Sequence, residues 1–276
     1  MGRRSGIGGA TRVAAPLCLI AIAGCGGSHS ARPRPPTHRS TRTTPALTAT
    51  HRTPQPKPVK PPVAPARPVL VGQIPDRLPT AQHVVALTFD AGADNAGAPK
   101  ILAALDRAHV TATFFMTGRW AQLYPQWARR IAARYPIGNH TFDHQDLLTL
   151  TRPAVSSELV TAKAAIQRAT GRAPSALFRF PYGSSSASTL ALVNHLRYTA
   201  VGWTVDTLGW EGTSMGQSLA SVTSRALAHL QPGEIILMHV GANPHDQSTL
   251  DADALPGIIG AIRARGYRFV ALNQYF

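Results

Sequence analysis

From His83 onward, short runs of β-branched and aromatic residues alternate with stretches of helical periodicity. The apolar runs at 84–89, 112–116, 176–180, 198–205, 234–239 and 267–272 have the length and composition of strands, and a further short strand is expected just before His140. Between them, helical patterns fall at 98–108, 125–134, 153–169, 189–195, 215–230 and 254–265. Repeated strand-then-helix units predict an α/β fold with a parallel sheet covered by helices. About seven units, rather than eight, predict a distorted or incomplete (β/α) barrel, with its reactive groups at the carboxyl ends of the strands.

The first 80 residues follow neither period. They hold twelve Lys or Arg against the single acid Asp76, and residues 81–276 hold sixteen against twelve, so most of the net charge of +15 sits ahead of the folded part. Arg3, Arg4 and Arg12 precede the apolar run 13–23, which is too short to cross a bilayer core of about 30 Å and reads as a secretion signal. That run ends in Ile22-Ala23-Gly24-Cys25, which resembles the lipobox of bacterial lipoproteins. Residues 1–25 are therefore expected to be a lipoprotein-type signal, with a lipid on Cys25 tying the protein to the outer face of the cell membrane. Residues 26–80, rich in Pro, Thr, Ala and Arg, are expected to be a disordered linker that can reach on the order of 150 Å into a cell wall. The folded domain is expected over 81–276.

Charge and cysteine usage narrow the function classes. The basic residues stand singly among prolines and threonines without interleaved aromatics, which argues against nucleic acid as a partner. No feature identifies a protein partner. The two cysteines, Cys18 and Cys25, both lie in the signal, so the domain has no disulfide to stabilise it.

The chemically capable residues cluster at the expected strand ends. Asp90 follows the first strand, His140 and His144 follow the short third, Arg179, Pro181 and Tyr182 close the fourth, Asp206 the fifth, and His239 ends the sixth, just after Leu237. His140 and His144 are four apart, which on a helical turn places both imidazoles on one face, the spacing used to bind zinc and related cations. Arg179, alone in the apolar run 177–181, needs a buried or cleft-facing partner. In the loop 241–253, Asp246, Asp251 and Asp253 read as turn and helix-cap residues. Trp120 and Trp203 read as core.

Five segments appear in order: Thr88-Phe-Asp-Ala-Gly92, His140-Thr-Phe-Asp-His144, Arg179-Phe-Pro-Tyr182, Asp206-Thr-Leu-Gly-Trp210 and Leu237-Met-His239. Together with Ala112-Thr-Phe-Phe-Met-Thr-Gly118 and Gly138-Asn139, they resemble the NodB homology domain of the polysaccharide deacetylases, carbohydrate esterase family 4. The resemblance implies a metal-dependent hydrolase that removes N-acetyl groups from amino-sugar polymer, and the expected lipid anchor, which would confine the protein to its own envelope, favours the cell-wall polysaccharide peptidoglycan as that polymer. It implies a divalent cation on His140 and His144, zinc by donor type with cobalt or nickel on the same donors. It further implies Asp90 as base, Arg179 as the fixer of Asp90, the Tyr182 N–H as an oxyanion donor, His239 as acid, and Pro181, Tyr182, Trp210 and Leu237 around the substrate.

Two positions depart from the family pattern. Ala91 stands where a third, carboxylate ligand is expected, and three resolutions are open: Asp94 supplies it, Asp90 itself ligates, or metal affinity is weak or lost. Gly209 stands where an Asp is expected to tune the acid histidine, and Asp206 is a candidate substitute. Ala91 and Gly209 keep open a catalytically impaired glycan-binding protein, and O-deacetylation of a polymer such as xylan would use the same machinery.

Overall fold

The computed structural model describes residues 69–276. The expected signal with Cys25, and the expected linker up to residue 68, lie outside the described residues. Eight strands form one sheet in which every pairing is parallel: β1 (Val84–Ala91), β2 (Thr113–Met116), β3 (Ile137–Asn139), β4 (Leu177–Phe178), β5 (Thr199–Ala200), β6 (Val205–Asp206), β7 (Glu234–His239) and β8 (Arg268–Phe269). Their order is β5-β4-β3-β2-β1-β7-β6, with β8 pairing the start of β1 at Val84 and Val85. The helices are α1 (Ala98–Ala108), α2 (Gly118–Leu123), α3 (Pro125–Ala132), α4 (Arg152–Thr170), α5 (Ala187–His195), α6 (Leu219–Leu227) and α7 (Leu250–Ala264).

The sheet is an incomplete barrel, as the strand pattern predicts. Its edges, β5 and β6, are joined by residues 201–204 alone, so the two edges cannot stand more than about 18 Å apart although they do not pair. The sequence predicts one strand over 198–205. Instead the chain leaves one edge, crosses the seam and joins the other, where Val205 and Asp206 pair with Ile236 and Leu237 of β7.

Residues 69–80, placed by composition in the linker, close that seam. Leu70 N donates to Thr199 Oγ1, Gly202 N to Pro75 O, Thr204 Oγ1 to Asp76 O and Leu78 N to Gly233 O, and Leu78 is 1% exposed. The packed body therefore begins before residue 81. Backbone groups exposed along an open seam need partners, and this segment supplies them.

Strand alternation sorts the side chains. Along β1, Val85, Leu87 and Phe89 face outward into the large core under α1, α3 and α7, and Val84 and Ala86 face the barrel interior. Thr88 and Asp90 continue the inward row. On β7, Ile236 and Met238 point outward, while Ile235, Leu237 and His239 point inward. The period of two thus carries Asp90 and His239 to the same face.

Candidate active site

A cleft of about 520 Å³ opens at the carboxyl ends of the strands, lined by Asp90, His140, His144, Tyr182, Asp206, Trp210, Leu237 and His239 among others. Asp90 and His239 are register partners on the adjacent parallel strands β1 and β7, so their backbones are about 4.8 Å apart. Both side chains leave toward the cleft.

Arg179, fully buried just past β4, holds Asp90. Its Nη1 donates to Asp90 Oδ1 at 2.8 Å and to Thr88 Oγ1 at 2.9 Å, its Nη2 to Gly202 O at 3.0 Å and its Nε to Val201 O at 3.4 Å. The guanidinium lies over the Phe115 ring, 4.1 Å from its centre, with Trp203 on another side. Burial by itself pushes the Asp90 carboxyl up, but Arg179, aided by His140 and His239, more than offsets this and holds it below its ordinary value of 3.8. Asp90 is thereby kept ionised in a site where it is only 7% exposed.

The histidine pair sits on a loop and not on the helical turn that its spacing suggests. Thr141 and His144 both have left-handed backbone, φ 67° and 62°, which bends the chain back after β3. The loop is pinned from several sides: Asn139 Oδ1 accepts from Thr141 N, Glu158 Oε2 of α4 accepts from Phe142 N and Asp143 N, and Gly118 N donates to Thr141 O. The bend brings the rings together edge to face, with centroids 4.7 Å apart. His140 Nδ1 meets Arg179 O at 2.9 Å, an arrangement that requires Nδ1 to carry the proton and leaves Nε2 as a lone pair, 3.4 Å from Asp90 Oδ2. Burial lowers both imidazoles, His144 to about 4, so both are neutral donors at pH 7.

Asp94 does not join them. Its Oδ1 accepts from Ala96 N at 2.8 Å and from Ala242 N at 3.0 Å, tying the loop after β1 to the loop after β7, and it is not among the residues lining the cleft. Among the described residues no three His, Cys, Asp or Glu side chains are gathered as a metal site. The two neutral imidazoles fit a divalent cation, and the carboxylate beside them is Asp90. Asp94 as third ligand is therefore not supported by the geometry, because its oxygens serve backbone N–H groups.

On the opposite wall, Trp210 is 47% exposed at the rim, with Nε1 3.4 Å from Asp206 Oδ2 and its ring 6.3 Å from that of His239. Leu237 forms part of the floor. Pro181 is buried at the start of a short 3-10 turn and outside the lining, and it aims Tyr182, whose backbone is left-handed at φ 59° and whose ring packs on His144. Trp120 is core, with Nε1 on Asp94 O, whereas Trp203, also expected in the core, reaches the cleft wall.

Spacing did not reveal Asp251. It lies in the first turn of α7 but does not cap it: Oδ1 accepts from Thr207 Oγ1 at 2.6 Å and Oδ2 from His239 N at 2.8 Å. Asp206, a candidate substitute from the sequence, holds Leu208 N and Trp210 Nε1.

A profile of the polysaccharide deacetylases matches residues 77–201. A peptidoglycan-N-acetylglucosamine deacetylase of Bacillus cereus is 35% identical over 193 residues, covering 70% of this chain and 68% of the relative. The chain belongs to the polysaccharide deacetylase family. The same fold is found in a solved peptidoglycan N-acetylglucosamine deacetylase complexed with 4-naphthalen-1-yl-N-oxidanyl-benzamide, at TM-score 0.66 and 34% identity over 72% of this chain and 91% of that one. It is also found in a carbohydrate esterase family 4 pseudoenzyme of Bacillus anthracis, at TM-score 0.63 and 26% identity over 70% of this chain and 65% of that one. This polysaccharide deacetylase is thus a hydrolase with a barrel-end cleft, as its motif order implied.

Proposed function

We propose that this deacetylase removes N-acetyl groups from amino-sugar polymer of the cell wall, peptidoglycan GlcNAc or MurNAc, releasing acetate and exposing a free amine. The observation that carries the reading is the pairing of Asp90 with His239 across one cleft. Arg179 keeps Asp90 ionised. His239 is raised above its ordinary 6.5: burial opposes this, but Asp251 first, then Asp90 and Asp206, prevail. A base and an acid pushed in opposite directions on neighbouring strands are what amide hydrolysis needs.

In this mechanism the N-acetyl group enters between Asp90 and His239. Asp90 accepts a proton as water adds to the acetyl carbonyl, and the Tyr182 N–H on the cleft rim is the candidate oxyanion donor. The C–N bond then breaks as His239 gives its proton to the sugar nitrogen, leaving acetate and amine. His140 and His144 would hold a divalent cation, zinc by donor type with cobalt or nickel as alternatives, whose contribution when bound is to polarise the carbonyl and acidify water. Trp210 and Tyr182, both exposed at the mouth, offer faces to a sugar ring.

The wall substrate is supported by the Bacillus cereus relative and by the expected lipid on Cys25, which would hold the protein outside its own membrane. A second reading, an impaired glycan binder, draws on Ala91 and on the lack of a three-donor cluster among the described residues. The test is acetate release from N-acetylglucosamine oligomers, peptidoglycan and acetylated xylan, after chelation and after zinc or cobalt is returned. Metal-restored release from the first two supports the proposal; release from xylan alone makes the enzyme an O-deacetylase. Binding without release from any of the three supports the impaired binder.

A further inference from the structure

The acid histidine has a buried polar atom that the mechanism above does not use. His239 Nδ1 is buried and forms no hydrogen bond of proper geometry, and the group facing it is Asp251, with Oδ2 3.5 Å away. Asp251 is 3% exposed, sits twelve residues downstream on α7, and is itself fixed, through Oδ1 by the Thr207 hydroxyl and through Oδ2 by the His239 N–H. A carboxylate buried this deeply costs free energy unless its charge is used. Its neighbour Asp253 behaves differently, lying at the helix exterior with Thr249 and Lys100.

Position 209 independently marks the same spot. Gly209 has no left-handed backbone that would call for glycine, yet a Cβ built there would lie 2.5 Å from Asp251 Cγ and 2.9 Å from its backbone nitrogen, and closer still to Oδ1. The glycine makes room for the carboxylate. The loop carrying Trp210 and the first turn of α7 are therefore fitted to each other around Asp251.

We infer that Asp251 is the positioning residue of His239: its carboxylate holds the proton on Nδ1, turns Nε2 toward the cleft and supports the imidazolium that delivers the amine's proton. This inference rests on the deacetylase reading for its catalytic meaning, though not for the contact itself. Other titratable groups face His239, namely the carboxylates Asp90 from β1 and Asp206 from β6, and the neutral imidazoles His140 and His144 from the loop after β3. Asp251 alone is seated on the Nδ1 side, and it is the largest of the influences that raise the ring's affinity for a proton.

The test uses Asp251→Asn, which keeps the shape and removes the charge, with Asp253→Asn as a control on the same helix. Two quantities are read in the full-length protein: the NMR titration of the His239 imidazole, and kcat and KM for acetate release against pH. In Asp251→Asn the His239 titration is expected to move to lower pH. The alkaline limb of kcat should move with it, and kcat should fall by about tenfold to a hundredfold, the scale of a misdirected general acid, with KM within twofold of wild type. Asp253→Asn should change none of these. An unmoved His239 titration in Asp251→Asn overturns the inference, as does a loss of activity without any shift of the limb, which is the mark of mere structural damage. If wild type releases no acetate, the deacetylase reading fails, while the NMR titration still decides whether Asp251 holds His239.

Discussion

Replacing Arg179 by Met should be the most damaging single change beneath the cleft that leaves its three histidines in place. Met fills much of the volume between Phe115 and Trp203, so packing loss is small, but four N–H contacts to Thr88, Asp90, Val201 and Gly202 disappear. Asp90 is left as a nearly buried carboxylate without its cation, which costs about 3–5 kcal/mol. With an m-value of about 2 kcal/mol per molar urea, the unfolding midpoint at pH 8 should fall by about 1.5–2.5 M. The sign of the pH dependence follows from Asp90. In wild type its pKa is depressed, so the stability it contributes is present above 3.8 and lost as pH falls through the folded value. In the variant burial dominates and the carboxyl takes up a proton at higher pH, which relieves the unpaired charge. The gap between variant and wild type should therefore narrow from pH 8 to pH 5, and the acid limb of any residual activity should move upward. Urea denaturation followed by tryptophan fluorescence at the two pH values measures the gap. A midpoint within 0.5 M of wild type at pH 8, or a gap that does not narrow at pH 5, would refute the claim that Arg179 acts chiefly on the charge of Asp90.

Glu234, buried beside Gln231 and Arg77, is raised from 4.5 to about 7, chiefly by burial. A raised folded value means that its stability contribution is complete below 4.5 and lost as pH climbs through 7, so Glu234→Gln should match wild type at pH 4.5 and exceed it at pH 8, by at most about 3 kcal/mol in thermal or urea unfolding. Gly209→Ala should displace the Asp251 carboxylate and lower kcat more than it lowers Tm, as paired activity and melting measurements would show. Trp210→Ala, at an exposed rim position, should raise KM for oligomers several-fold with kcat within about twofold.

What could be read in the sequence follows from range. β1 and β7 are runs of eight and six residues whose apolar, β-branched composition is visible by itself, and once they are placed, Asp90 and His239 fall at the carboxyl ends of strands, although their being neighbours is seen only in the sheet register. β5 and β6 have two residues each, too short for any period, and their separation depends on which edge of the sheet is free. The His140–His144 spacing correctly joins the two rings but for a different reason, since two left-handed residues do the work of a helical turn. Asp94 looked available because loop proximity was legible, whereas its hydrogen bonds to Ala96 N and Ala242 N were not. Asp251 was hidden most deeply: its contact with Thr207 spans 44 residues and exists only because α7 docks across the end of β7. Gly209, which departs from the family pattern, and Asp251, which reads as a helix-cap residue, make sense only as a pair.

The central claim is that Asp90 and His239 together hydrolyse an N-acetyl group. The measurement that meets it most directly is the yield of acetate and of new free amine from an N-acetylglucosamine oligomer, with zinc or cobalt supplied, for wild type, Asp90→Asn and His239→Ala. The account predicts equimolar acetate and amine from wild type, with rates lower by about a hundredfold or more in each variant while both remain folded. No acetate from wild type, or a folded Asp90→Asn that retains wild-type turnover, would contradict it.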